Sequence, residues 1–243
     1  MTYRIRPRGA RLALAALLPA IIYLSSCSSD ASLVLRADAS ATVGIGVEIP
    51  QPIEAKLRSL SSAPSGEPLV SRTAVADGAA RGGLTVLESR NPSPAAYRGS
   101  FRAADLAALA RSSGLRSSGL LSYERGPGWA SLRVKVDRGN AGKLLELFPG
   151  ADPELLDALQ PPALFDNPVS RDEYRSMLLA LLGRSAAASL DAAAMRLSLA
   201  LPGAALERSG PLSGSGASWT LSVPLLDALT LEKPLEFFIK WGE

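Results

Sequence analysis

The chain has 243 residues, of which 47% are hydrophobic, so it is long enough for one large domain or two small ones with a sizeable core. It contains no histidine and one cysteine, which excludes Ser-His-Asp and Cys-His catalysis, zinc sites built from Cys and His, and an intrachain disulfide. Its net charge of +3 depends on four arginines in the first eleven residues. Residues 27–243 carry 22 Lys and Arg against 23 Asp and Glu. This balance excludes the strongly basic surface that binds nucleic acid.

Residues 1–26 have the three parts of an export signal. The arginines come first, an apolar stretch runs from Leu12 to Leu24, and the small residues Ser25 and Ser26 follow it. The 13 residues of the apolar stretch would form a helix about 20 Å long, whereas the hydrocarbon core of a bilayer is about 30 Å thick. We therefore predict a cleaved signal rather than a transmembrane helix, with an ordinary secretory signal as the remaining alternative.

The last part of this signal, Leu24-Ser25-Ser26-Cys27, resembles the lipobox of bacterial lipoproteins. The resemblance implies that the Cys27 sulfur receives diacylglycerol, that Cys27 becomes the new N-terminus, and that fatty acyl chains such as palmitate hold the protein on a membrane. Two or more acyl chains anchor a protein stably, whereas one does not. We expect residues 27–31 to form a lipidated N-terminus and short tether. Ser28 in place of Asp favours the outer membrane over the inner one by the same resemblance, and leaves open whether the periplasmic or the surface side is occupied.

The next segment alternates apolar and polar residues with the period of a strand that has one buried face. This pattern covers residues 33–37 and 43–49, so we predict two paired strands with a turn near Ala39. Gly44 and Gly46 lie in the second strand, where they indicate close backbone packing or a bulge. A third glycine and a following helix start, which a nucleotide-binding loop would need, are missing.

A hairpin is predicted from residues 120–124 and 130–137, joined across 125–128. Its second strand carries Arg133, Lys135 and Asp137 on one face, and polar residues on one face indicate an antiparallel sheet with one solvated side. Further strands are predicted at 84–87, 97–101, 195–201, 219–223 and 235–241, with a glycine-rich turn at 210–216.

Helices are predicted at 51–60, 103–111, 141–148, 154–159 and 171–182. The last of these opens with a capping box, in which Ser170 and Glu173 satisfy each other's backbone amides, and Gly183 ends it. Asn140 is predicted to cap the helix at 141–148. The helix at 171–182 has an apolar stripe that we expect to contact the core, formed by Tyr174, Met177, Leu178 and Leu181.

These patterns predict an α+β fold with a mostly antiparallel sheet and several helices packed on one face. Residues 32–243 are predicted to form a single envelope domain. Since apolar strands occur near both ends of this region, we expect both ends to share one sheet.

The segment from Leu197 to Trp241 is similar to the C-terminal part of LppM-type bacterial lipoproteins. The similarity rests on a strand followed by Pro202-Gly203, a glycine turn Gly214-Ser215-Gly216, and then Trp219-Thr220 and Val223-Pro224-Leu225. It implies an envelope-facing α+β domain with a lipid-binding role, and it transfers no catalytic residue to this chain.

Together the signal and the missing catalytic residues predict a non-enzymatic lipoprotein that binds a lipid or amphiphile, or an envelope protein, without a cofactor or metal. The first alternative is a hydrolase that uses paired carboxylates, with Asp166, Asp172 and Glu173 as candidates. The second is a structural or assembly factor that pairs through strand edges. The opposing interpretation is that Arg133, Lys135 and Asp137 form a charged edge that prevents such pairing. The oligomeric state stays open.

Overall fold

A computed structural model describes residues 29–61, 64, 66–112, 117–142, 157, 159–165 and 168–243. Within this part of the chain, eleven strands form two sheets. The strands are β1 (Ser29–Leu35), β2 (Ala41–Glu48), β3 (Thr85–Ser93), β4 (Ala96–Ala103), β5 (Leu121–Gly126), β6 (Trp129–Val136), β7 (Ala194–Ala200), β8 (Ala205–Ser209), β9 (Leu212–Ser215), β10 (Ser218–Pro224) and β11 (Leu235–Gly242). The described helices are α1 (Gln51–Ser61), α2 (Arg72–Arg81), α3 (Leu106–Ala110), α4 (Arg138–Ala141), α5 (Arg171–Leu182), α6 (Arg184–Ala192) and α7 (Leu225–Thr230).

The large sheet has seven strands in the order β3-β4-β2-β1-β7-β10-β9. All its neighbouring strands are antiparallel except β1 and β7, which run parallel with Ser29 opposite Met195. The predicted pair of β1 and β2 is confirmed, and Ala39 adopts a positive φ of 63° in the turn between them. The α+β class and the mostly antiparallel sheet are therefore confirmed.

The second sheet has four strands in the order β5-β6-β11-β8. The expectation that both ends of the domain share one sheet is wrong, because β1 lies in the large sheet and β11 in the second. The alternation in residues 235–241 fits the inner face of either sheet, so it does not reveal which strand β11 pairs with. The chain crosses from the second sheet back to the large one between β8 and β9, at Gly210.

The inner faces of both sheets contribute to one contiguous cluster of buried apolar side chains. Alternate residues of β1 and β2, such as Leu33 and Ile45, lie in the same cluster as Leu132, Ile239 and Trp241 of the second sheet. Buried residues of α1, α5, α6 and α7 belong to it as well. A single core therefore stabilises both sheets together.

Helix α5 begins and ends as the sequence predicts, with the capping box of Ser170 and Glu173 formed and Gly183 at its end. Its apolar stripe is only partly in the core. Tyr174 and Leu178 are buried, but Met177 is 45% exposed and Leu181 is 39% exposed. Leu182 is buried in their place, because the contacting face of the helix is rotated toward it.

Three other local predictions need correction. Asp137, not Asn140, is the N-cap of α4, and Asn140 is the third helical residue that reaches back to it. The helix predicted at 103–111 is shorter, since Ala103 ends β4 and Asp105 caps α3. Part of the predicted turn at 210–216 is the short strand β9. The helices predicted at 141–148 and 154–159 lie largely outside the described residues.

Candidate functional site

The lipobox residues Leu24, Ser25 and Ser26 and the lipidation site Cys27 lie outside the described residues. The first strand of the described residues, β1, starts at Ser29. Ser29 is 1% exposed. It has a strand on each side, with Val47 of β2 opposite it in one direction and Met195 of β7 in the other.

The tether predicted at 27–31 is therefore wrong for its last three residues. Ser29, Asp30 and Ala31 are strand residues, hydrogen-bonded between β2 and β7. The sequence did not predict this part of the strand, because the side chains of these residues are small or polar and show no apolar alternation. Their strand structure depends on the pairing with β2 and β7 on both sides. In the sequence, Ser28 alone separates Cys27, the predicted acylation site, from the first residue of β1.

Of the three carboxylates considered for catalysis, Asp172 and Glu173 lie in the first turn of α5. Asp166 lies outside the described residues. Glu173 accepts hydrogen bonds from the Ser170 hydroxyl at 2.6 Å and from the Ser170 backbone amide at 2.9 Å, and these bonds lower the pKa of Glu173. A carboxylic acid that acts as a general acid needs a raised pKa. The capping box lowers the pKa of Glu173, so it makes Glu173 a poorer general acid. Within the described residues, no cluster of three or more acidic side chains could hold a metal ion.

The capping box leads to a prediction about pH. Because the pKa of Glu173 is lower in the folded chain than its ordinary value, its charged form stabilises the fold above that ordinary value, and this contribution is lost as the pH falls through the lowered pKa. Glutamine keeps hydrogen-bonding capacity but does not titrate. We expect Glu173→Gln to lose less stability than the parent between about pH 6 and about pH 3, measured by urea denaturation at each pH.

The matched control for this prediction is Glu207→Gln. Glu207 is exposed on β8 and its carboxylate has no hydrogen bond or ion pair within the described residues. Its replacement should leave the pH dependence of the parent unchanged. Equal flattening by both substitutions would contradict the assignment to the capping box.

The outer face of the large sheet is polar and exposed or half-buried. The strand registers place one row of small, mostly hydroxyl-bearing residues across six neighbouring strands. With about 4.8 Å between strands, the row is about 24 Å long. Its members are Ser100, Gly44, Ser32, Ser198, Thr220 and Ser213.

Gly44 lies within this row because of close packing, as the sequence predicts. A Cβ atom on Gly44 would lie 2.5 Å from the Ser32 hydroxyl oxygen. The glycine thus leaves room for that hydroxyl between β1 and β2. Strand β2 keeps a regular register with both neighbours, so the bulge considered from the sequence is absent from it.

Three arginines on the same face have exposed side chains and no ion pair within the described residues: Arg98, Arg102 and Arg196. Two acids lie near them, since Asp30 is opposite Arg196 and the charge of Arg102 helps to lower the pKa of Asp38. On the outer face of the second sheet, by contrast, cationic side chains contact an acid or an aromatic ring. Arg133 binds Glu236, and Lys240 lies 4.2 Å from the centre of the Trp129 ring. The large sheet therefore offers free guanidinium and hydroxyl groups to a polar partner.

The charged edge proposed from Arg133, Lys135 and Asp137 is not an edge. Strand β6 lies inside the second sheet, between β5 and β11. Arg133 and Lys135 lie on its solvated face, and Lys135 binds Asp137 at 3.2 Å. This arrangement confirms the one-sided solvation that the sequence predicts, while it removes the role in preventing edge pairing.

The interior contains one pair of polar groups that sequence reasoning missed. The Tyr123 hydroxyl and the Trp241 indole nitrogen are buried and have no hydrogen-bond partner among the described residues, and their rings lie 6.2 Å apart at an angle of 47°. Burial raises the pKa of Tyr123, and the nearby Glu243 carboxylate raises it further. Such groups do not reveal themselves in sequence, because Tyr and Trp fit the apolar alternation of β5 and β11 equally well.

Comparison with known proteins gives little beyond this geometry. No family model matches the sequence, and no curated protein matches it. The NMR structure of the folded domain of the Mycobacterium tuberculosis LppM protein aligns with 100% of this chain and 95% of its own, at 13% identity and a TM-score of 0.36. Among the described helices, none is both long and apolar enough to cross a bilayer.

Proposed function

We propose that the chain is a bacterial envelope lipoprotein, anchored through acylated Cys27, whose domain is a non-enzymatic interaction module. The observation that carries the proposal is the lipobox Leu24-Ser25-Ser26-Cys27, whose cysteine lies two residues before Ser29 of β1. Cleavage before Cys27 would remove none of the described strands or helices. Ser28 after the cysteine supports delivery to the outer membrane.

The geometry favours an envelope protein over an amphiphile as the partner. A contiguous cluster of buried apolar side chains spans the space between the sheets and helices, which is where an acyl chain would have to enter. The outer face of the large sheet instead presents free donors, including Arg98 and Arg102. Carboxylates and backbone carbonyls of a protein are suitable acceptors for them.

The positions of Asp172 and Glu173 support a non-enzymatic function. Glu173 is engaged in the capping box, and Asp172 belongs to the first turn of α5, where a negative charge stabilises the helix. Both acids thus have structural roles that need no substrate.

Intact-mass measurement on protein extracted with detergent tests the anchor. We expect an N-terminus at Cys27 that carries diacylglycerol and an amide-linked acyl chain, with no residue of the leader. A Cys27→Ser variant should lack these masses and leave the membrane fraction. A free thiol at Cys27, or a retained leader, would refute the proposal.

Crosslinking on intact cells tests the interaction face. An Arg98→Ser/Arg102→Ser double variant should lose most of the crosslinked partner. Arg184→Ser is the matched control, since Arg184 is exposed on α6 and has no ion pair within the described residues. Equal yields from the parent and the double variant would show that this face is not used.

A further inference from the structure

The anchor and the large sheet are joined by too short a stretch of chain to move independently. This argument rests on the proposed acylation of Cys27. Consecutive Cα atoms are 3.8 Å apart, so the Cα of Ser29 lies within about 7.6 Å of the Cα of Cys27. Strand β1 is the fourth of the seven strands. The lipid is therefore attached at the middle of one end of the sheet.

The strand registers identify what else lies at this end. Val47 and Met195 are level with Ser29, so the end of β2 and the start of β7 lie beside the anchor. Hydrogen bonds tie the adjoining segments together, from the Ile49 amide to the Ala95 carbonyl at 2.8 Å and from the Leu225 amide to the Ala193 carbonyl at 3.0 Å. We call the exposed or half-buried residues of these segments the anchor rim: Pro50, Gln51, Pro94, Ala95, Ala192 and Pro224.

The anchor rim itself is uncharged, although exposed charged residues lie close to it: Asp30 follows Ser29, and Arg98 and Arg196 are level with Asp30 on β4 and β7. Glu48 lies beside it without an ion pair, whereas Asp191 is bound by Arg175 at 2.6 Å. An uncharged surface can approach lipid headgroups without the cost of desolvating ions. The opposite end of the sheet also carries charge, with Arg36 and Asp38 at the turn between β1 and β2.

We infer that the anchor rim faces the phospholipid headgroups and that the sheet stands upright on the membrane. Strand β1 has seven residues, which rise about 20 Å from the first to the last. The turn at residues 36–40 therefore points away from the bilayer. In this orientation the outer face of the large sheet rises from the membrane, with Arg98 and Arg196 near the anchored end and Arg102 near the far end.

The chemistry of the chain makes this orientation measurable. Cys27 is the only cysteine, and acylation consumes its thiol, so one engineered cysteine gives a single labelling site. We would label Ser93→Cys near the anchor rim and Ala37→Cys at the opposite end, both at exposed positions. The full acylated protein would be placed in vesicles of phosphatidylethanolamine and phosphatidylglycerol that contain a headgroup-attached quencher. We expect several-fold stronger quenching of the Ser93 probe than of the Ala37 probe.

A flexible insertion tests whether the short connection between Cys27 and β1 causes this orientation. Ten Gly and Ser residues placed between Ser28 and Ser29 have a root-mean-square span of about 17 Å, and we expect them to reduce the difference between the two probes severalfold. Equal quenching of both probes in the acylated parent would overturn the inference, as would an unchanged difference after the insertion. Failure of the proposed function is distinguishable, because a protein without acylation would show no lipid mass and would not remain with the vesicles.

Discussion

Replacing Leu132 with alanine is expected to lower the free energy of unfolding by roughly 3–5 kcal/mol. Leu132 is 0% exposed on β6. It lies between Tyr123 of β5 and Ile239 of β11, in the middle of the second sheet. The truncation removes buried apolar surface and leaves a cavity that the paired strands on both sides cannot close. For a chain of this size the melting temperature should fall by roughly 6–20 °C.

Leu206→Ala is the matched control for this substitution. It is the same change in the same sheet, but Leu206 is 64% exposed on β8. Its replacement should change the free energy of unfolding by less than about 0.5 kcal/mol. Urea denaturation followed by circular dichroism measures both variants, and similar losses from the two would contradict the assignment of Leu132 to the core.

Gly210→Ala is expected to cost about 2–5 kcal/mol for two separable reasons. Gly210 has a φ of +88° in the turn where the chain crosses between the sheets. This left-handed conformation costs about 1–2 kcal/mol for a residue with a Cβ atom. In addition, that atom would collide with the Glu236 carbonyl oxygen and lie 2.9 Å from the Phe237 Cα, both of which belong to the backbone of β11. Overpacking of this kind adds about 1–3 kcal/mol.

Two other glycines separate these causes. Gly216 has a φ of +58° but nothing within 4 Å of its Cβ position, so Gly216→Ala should cost only about 1–2 kcal/mol. Gly78 lies in α2 with open space around it, and Gly78→Ala should stabilise the chain by about 0.5–1 kcal/mol. Urea denaturation measures all three variants. Equal losses of stability from Gly210→Ala and Gly216→Ala would show that the collision of the added Cβ atom with β11 contributes nothing to the cost of Gly210→Ala.

Local structure could be predicted where a pattern is complete within a few residues. The capping box of α5 consists of Ser170 and Glu173, and each partner lies within one turn of the other. The hairpin of β5 and β6 needs only its own alternation and a tight turn, which lies at Pro127-Gly128 because residues 125 and 126 of the predicted turn belong to β5. Helices α2 and α6 were missed because they are rich in alanine and show no row of large apolar residues. A signal did exist for α2, since Ser71 caps it by accepting a hydrogen bond from the Ala74 amide.

Strand pairing over long distances could not be predicted in the same way. The parallel pair of β1 and β7, and the position of β11 between β6 and β8, depend on how the whole core packs. The same reason explains the missed start of β1, where Asp30 looks like part of a polar linker until β2 and β7 are both beside it.

The two parts of the candidate site differ in how far the sequence reveals them. Cys27 and its lipobox are a sequence motif, and they lie outside the described residues. The outer face of the large sheet follows from alternation within each strand, but the alignment of Ser32 with Ser198 requires the parallel register. Sequence therefore gives the composition of this face and not its layout.

The parallel pairing of β1 with β7 also has a consequence for how the chain reaches its native state. Strand β1 is synthesised early, yet its partner on one side, β7, comes after helix α6 and close to the C-terminal quarter of the chain. Such a distant contact slows folding, because a long loop must close before the pairing contributes any stability. Until β7 emerges, one side of β1 is an unpaired strand edge that can associate with other chains. A chaperone that shields nascent polypeptides would therefore act most usefully on the half-built sheet of β1, β2, β3 and β4.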